Sequence, residues 1–272
     1  MREKVQYEVK EFPSSRQATF DAGFLGLRKH HIKALIELDV TEARELIKKY
    51  RNQKKEDVSF TAWILKCISQ AIDEHKTVHA IRKGRNKLIL FDDVDISVII
   101  EKEIRGEKVP LPLVIRKVNQ KTLPEIHREI KQAKEQEVKN EQDYVLGENQ
   151  YKWAMKFYVA LPQFIRVMIW KKFILTNPFV MKKMSGTVVV TSIGMMGHVR
   201  GWVVPVSILP VCFALGSIVK EPGVVKDQIA IREYLHMTIL IDHDVVDGAP
   251  AARFVSRLTE LVESGYGLSI YS

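Results

Sequence analysis

The octapeptide Ile241-Asp242-His243-Asp244-Val245-Val246-Asp247-Gly248 holds residue types from which proton-transfer chemistry is built. The apolar run Leu235 to Ile241 reads as a strand that delivers His243 at its end, and a helix-like segment follows from Pro250 to Glu263. A histidine at a strand end is held more rigidly than one on a loop tip, which suits a general base. Gly248 permits a tight turn or a close approach of backbone to a ligand. The plainer alternative for His-x-x-x-Asp-Gly is a strand-end histidine bonded to a nearby carboxylate, with the glycine closing a turn.

Other elements must hold that turn in place. Residues 1 to 30 show little regular signal, and Arg16 and Phe20 lie in a serine-rich, turn-prone stretch. From His31 to Val40 the alternation of Ile32, Ala34, Ile36 and Leu38 predicts a half-buried strand. Thr41 is expected to cap a short helix from Glu42 to Arg51, and Ser59 a helix running to about Glu74. The face Ile64, Leu65, Ile68, Ala71 and Ile72 of the second helix is core material. Lys87 to Phe91 and Val94 to Ile100 read as strands separated by the turn Asp92-Asp93, with a further strand from Pro110 to Ile115. Thr122-Leu123-Pro124-Glu125 is a capping box that starts a charged helix ending near Asn140. Thr187 to Thr191 is a β-branched strand, ended by Ser192-Ile193-Gly194. Pro205 to Pro210 reads as a loop, Val211 to Val219 as a buried strand and Pro222-Gly223 as a turn. Gln228 to Ile231 and Leu235 to Ile241 complete the sheet. Helices placed early and strands late predict a mixed sheet with helices packed on it.

Between Asn149 and Lys220 there is no Asp or Glu, yet nine bases occur, which matches the net charge of +9. Such a field suits an anionic cofactor, an acidic partner or an anionic membrane surface, or is a plain solvated basic face. Nucleic acid is not expected, because no nucleic-acid motif accompanies the charge. Within the basic segment, Tyr151 to Met184 interleaves aromatics and methionines with lysines, and Pro162 and Pro178 divide it into two helical pieces. Subunit packing and peripheral membrane contact are both readings of such a segment. Cys67 and Cys212 sit in apolar surroundings without metal or redox spacing, and no h-region or long apolar span is visible, so a cytoplasmic location is expected.

Taken together, these pieces resemble the acyltransferase catalytic domain of 2-oxo acid dehydrogenase complexes, kin to chloramphenicol acetyltransferase. Asp242 to Ala249 is similar to that family's Asp-His-Arg-Val-Val-Asp-Gly-Ala signature, and Gly186 to Gly194 to its Gly-Thr-Phe-Thr-Ile-Ser-Asn-Leu-Gly strand. Leu38-Asp39-Val40-Thr41, Leu113 to Arg116 and Leu123 to Ile126 match further segments in the same order, so the resemblance runs from about Arg16 to Leu268. It implies a single catalytic domain over 1–272: a two-layer α/β sandwich on a mixed sheet, assembled as a homotrimer and in some relatives as larger shells. The active site would lie in a channel between subunits, with coenzyme A entering from one end. His243 would be the general base and Asp247 the aspartate that braces the loop. Thr191 stands where the family has a serine or threonine that donates to the oxyanion.

The chemistry agrees with those roles. A free thiol with a pKa of about 8.5 is only partly ionised near neutrality, so acyl transfer from a thioester to a thiol needs a base. A neutral imidazole supplies one, and a hydroxyl aimed at the tetrahedral oxyanion supplies roughly 3–4 kcal/mol. Thr191 and Ser192 point to opposite faces of a strand, so one excludes the other; Thr191 is preferred and Ser192 is the alternative. The mechanism implied is direct transfer in a ternary complex with acyl-CoA. Arg16 is the expected partner of Asp247, or else a solvent-facing residue without a role. His79, His127, His198 and His236 read as structural, and His30-His31 lacks metal-ligand spacing. Three features depart from the family. Asp244 replaces an arginine and would raise the pKa of His243 if close to it. The chain has no room for a lipoyl or peripheral-subunit-binding domain, so a lipoyl group would come from a lipoyl-bearing protein in trans. Residues 151–184 form an atypical basic-aromatic insertion. A non-catalytic scaffold subunit with the same fold is the alternative function.

Overall fold

The computed structural model describes residues 7–9, 15–54, 58–104, 107–136, 157–158, 160–194 and 200–268. Alternating hydrophobicity from His31 produces strand β1 (His31–Asp39), with Ile32, Ala34, Ile36 and Leu38 facing the main core. The other strands of the main sheet are β4 (Ile96–Ile104), β5 (Glu107–Ile115), β6 (Val188–Ser192), β7 (Val211–Val225) and β8 (Gln228–Asp242). Their order across the sheet is β1-β8-β7-β6-β4-β5. The pairs β4–β6 and β6–β7 are parallel and the rest antiparallel, which makes the sheet mixed as expected.

One face of the sheet carries the main core. Helix α3 (Phe60–Glu74) lies against it between α4 (Leu123–Glu135) and the last helix, α7 (Gly248–Glu263). Trp63, Ile64, Leu65 and Ile68 of α3 are fully buried against Phe213, Met237, Ile239 and Phe254. Two of the three predicted caps form: Ser59 Oγ accepts the Ala62 N–H at 3.2 Å, and the Glu125 carboxylate accepts from the Thr122 N–H at 2.7 Å. Strand pleating sends alternate residues to the other face, where Val189 packs with Ile81, Met181, Leu209 and Ile208.

Several expectations change in the structure. Ser15–Gly26 is a helix, α1, although its sequence carries little amphipathic pattern. What holds it is tertiary: Asp21, fully buried, receives Arg166 Nε at 2.7 Å and the Tyr158 hydroxyl at 2.8 Å. Thr41 opens helix α2 (Thr41–Lys54) rather than capping it; its hydroxyl donates to Asp39 at 2.6 Å and accepts the Glu233 N–H at 2.8 Å, tying β1 to β8. Lys87–Ile89 (β3) pairs with Ile81–Lys83 (β2) in a separate ribbon and does not join the main sheet. Pro222-Gly223 is no turn, because β7 runs through it to Val225, with Pro222 opposite Ile231. The reversal falls at Lys226 and Asp227, both with positive φ (49° and 63°), a two-residue hairpin turn matched to strand twist.

Among its described residues the basic-aromatic segment is helical at 157–158 and 160, ahead of Pro162, and again in α5 (Gln163–Ile169), continued by a π-helical turn Trp170–Ile174, and in α6 (Pro178–Ser185), capped by Asn177, which is more than the two pieces expected. Two of its bases are neutralised from outside the segment, Arg166 by Asp21 and Lys182 by Asp95, so the charge field is weaker than its count. Among the described residues, no helix is long and apolar enough to cross a membrane.

Candidate active site

His243 directly follows β8, and the turn that carries it is fastened at several points. The Val245 and Val246 N–H groups both donate to the Asp242 carbonyl at 3.1 Å, and the buried Val246 side chain joins the main core. The His243 N–H donates to the His30 carbonyl at 2.8 Å. Asp242 is buried; its N–H donates to the Pro210 carbonyl at 2.9 Å, and its carboxylate receives Lys29 Nζ at 2.5 Å and the Asp244 N–H at 3.2 Å. The result is a rigid backbone with an outward ring. His243 and Asp247 are both exposed, and among the described residues neither side chain has a hydrogen-bond partner.

Asp247 is the N-cap residue of α7, and its carbonyl accepts the Ala251 N–H at 3.1 Å. A carboxylate at a helix N-terminus sits favourably in the helix dipole. Arg16, on α1, is exposed and does not pair with Asp247 in the protomer, so the expected brace is not made there. Lys29 and His30 do the fastening instead. A cation next to an acid-rich turn is a signal that charge pattern carries, but Lys29 and Asp242 lie 213 residues apart and no spacing rule links them. Gly248 has ordinary negative φ and nothing within 4 Å of where a side chain would start, so neither a strained turn nor packing inside the protomer requires glycine.

Asp244 turns to the loop before β1. Its carboxylate accepts from His30 Nδ1 at 2.9 Å. That hydrogen bond raises the His30 pKa above its ordinary value and lowers that of Asp244.

Thr191 lies near the end of β6 on the face shared with Val189, away from the main core, whereas Ser192 follows the parity of Val188 and Val190. The two hydroxyls are therefore exclusive, as the pleat requires. Thr191 is in register with Ala214, and Ala214 with Thr238. His243 is five residues beyond Thr238, so Thr191 and His243 are separated by roughly 16 Å along the strands and roughly 10 Å across them. One protomer cannot bring these two side chains together. A groove of about 670 Å³ between α2 and the β7–β8 ladder is lined by Arg44, Lys48, Lys220, Ile231 and Glu233, and contains none of the predicted residues.

Two of the histidines read as structural are held by neighbours. His79 is buried, with Nδ1 2.8 Å from the Thr187 hydroxyl and Nε2 3.2 Å from the Phe91 carbonyl, and burial pushes its pKa down to about 4. His236 accepts the Gly201 N–H at 3.1 Å and stacks on Trp202 at 4.4 Å. His198 lies outside the described residues. No cluster of His, Cys, Asp or Glu among the described residues is arranged to hold a metal ion.

Comparison with known proteins places this geometry. The chain is 24% identical over 243 residues to the lipoamide acyltransferase component of the branched-chain alpha-keto acid dehydrogenase complex of Bacillus subtilis, covering 86% of this chain and 47% of that protein. The chain thus spans about half the length of the curated relatives it matches. The dihydrolipoamide acetyltransferase of Azotobacter vinelandii, studied for the role of a serine, a histidine and an asparagine in its mechanism, superposes with a TM-score of 0.66 at 17% identity, covering 94% of this chain and 92% of that one. A chloramphenicol acetyltransferase superposes at 0.52 with 12% identity, over 95% and 97% of the two chains. The fold is therefore that of the dihydrolipoamide and chloramphenicol acetyltransferases. Residues 27–143 and 180–269 match the family described as 2-oxoacid dehydrogenases acyltransferase (catalytic domain), the break falling on the basic-aromatic segment, and the chain belongs to that family.

Proposed function

We propose that the protein is a coenzyme A-dependent acyltransferase that moves an acyl group between coenzyme A and a thiol of the dihydrolipoyl type. The observation that carries this reading is an exposed imidazole on an otherwise fully fastened turn. A second support is spacing. Thr191 and His243 are as far apart in sequence as the serine and histidine studied in the Azotobacter enzyme, and His243 and Asp247 as far apart as its histidine and asparagine. Ser192 does not fit that spacing.

His243 takes the proton from the attacking thiol as its sulfur adds to the thioester carbonyl. Thr191 donates to the oxyanion that forms on the carbonyl oxygen. Collapse of the tetrahedral intermediate expels the second sulfur, which receives the proton from His243, so transfer is direct and needs no acyl-enzyme. Because these two groups are too far apart to meet in one protomer, the reacting pair is Thr191 of one subunit and His243 of the next. Asp247, exposed and unpaired beside open space at Gly248, is placed to brace against that neighbour. The homotrimer is the assembly that closes such a head-to-tail contact.

Acyl transfer from acyl-CoA to dihydrolipoamide, measured for wild type and His243→Ala, tests the assignment. The expected loss is about 10²–10⁴-fold with the assembly intact. Turnover at the wild-type rate refutes the base, and a calorimetric titration without coenzyme A binding favours the scaffold role.

A further inference from the structure

The loop before β1 grips the turn of His243 with consecutive residues. The His30 carbonyl holds the His243 N–H at 2.8 Å, while the His30 ring lies 2.9 Å from the Asp244 carboxylate. Beside it, Lys29 holds Asp242, whose carboxylate also accepts the Asp244 N–H. One residue thus contacts both the backbone of the candidate base and the side chain of its neighbour. Asp244 is a point at which this chain departs from the arginine of the signature it resembles.

We propose that His30 is a positioning residue for acyl transfer: its imidazolium, paired with Asp244, fixes the direction in which the turn presents His243. The inference rests on the reading of His243 as the base. The charged groups facing this pair are Asp244 and Asp242 on the turn, Lys29 on the loop of His30, and Arg82 of β2 towards Asp244. The hydrogen bond to Asp244 is the chief influence on His30 and favours its charged form. A raised folded-state pKa means that the pair is complete at low pH and loosens as pH rises through that value. The backbone bond from His243 to the His30 carbonyl persists at every pH, so the loosening is partial.

The test is the pH profile of acyl transfer by the full chain for wild type, His30→Lys and His30→Ala, with histidine-ring NMR titrations of wild type and Asp244→Asn. Lysine keeps a cation opposite Asp244 that does not titrate near neutrality. Wild type is expected to lose kcat as His30 deprotonates, and His30→Lys to keep the low-pH rate without that fall. His30→Ala lowers kcat by roughly two- to fivefold at low pH, the range of an exposed ion pair, without changing KM for acyl-CoA. In Asp244→Asn the His30 ring titrates at lower pH than in wild type. An alkaline limb unchanged in His30→Lys, an unchanged kcat in His30→Ala, or a His30 titration indifferent to Asp244→Asn overturns the positioning role. Failure of the underlying reading looks different: His243→Ala turns over normally while the His30 titration still responds to Asp244→Asn.

Discussion

At the scale of single residues, the site depends on which side chains the backbone leaves free. Asp242 and Asp244 are both engaged, the first by Lys29 and the second by His30, and His243 and Asp247 are left outward. Adjacency in sequence does not decide what Asp244 contacts: its carboxylate pairs with His30, 214 residues away. Thr191→Val is expected to lower kcat by about 10²–10³-fold with KM little changed, while Thr191→Ser retains most activity and Ser192→Ala has little effect; steady-state kinetics on the three variants decides between the hydroxyls. His79 gives a prediction of opposite kind. Its folded-state pKa of about 4 lies below the ordinary histidine value, so the unfolded chain takes up a proton that the native state refuses. Stability is full above that ordinary value and falls as pH drops below it, by about 2 kcal/mol between pH 7 and pH 5. Urea midpoints at the two pH values show this, and His79→Asn, which keeps hydrogen bonds without titrating, flattens the dependence.

At the scale of elements, strands and capped helices were legible because each follows from local pattern. Alternation predicts β1, the capping box predicts the start of α4, and the prolines predict the division between α5 and α6. Helix α1 was not legible, since long-range contacts hold it: Asp21 and Gln17 receive Arg166, 145 or more positions later, and Asp21 also receives the Tyr158 hydroxyl. The reversal at Lys226-Asp227 lacks the Asn-Gly or Asp-Gly signal of such turns, whereas Pro222-Gly223 carries a turn signal and is paired in the ladder. The Asp21–Arg166 pair joins α1 to α5 where both side chains are almost fully buried. Arg166→Met alone is expected to cost about 3–5 kcal/mol, because it leaves an uncompensated buried carboxylate. Adding Asp21→Leu restores most of the loss. Chemical denaturation of the two variants measures the difference, and equal stability of single and double variants contradicts it.

At the scale of the whole molecule, the sheet itself separates the chemical groups. Thr191 and His243 sit on strands of opposite direction, two strands apart and offset along them, and no side-chain rotation closes that gap. The proposed site therefore exists only between copies of the chain. His243→Ala and Thr191→Val, each inactive alone, are expected to regain activity when mixed and allowed to exchange subunits. Random mixing gives about a quarter of the wild-type rate, because that share of sites receives one intact group from each neighbour. Absence of any recovery, with exchange verified by mass spectrometry, argues for a site within one subunit.

The family, the strands that frame the site, and the candidates His243, Asp247 and Thr191 followed from sequence, because signature residues and hydrophobic period are local properties that a linear text preserves. Tertiary structure alone decided that Lys29 and His30, and not Arg16, fasten the turn, that Arg166 is an interior charge, and that His243 and Thr191 lie too far apart to meet in one chain. These are long-range pairings and directions in space, and neither composition nor periodicity encodes them.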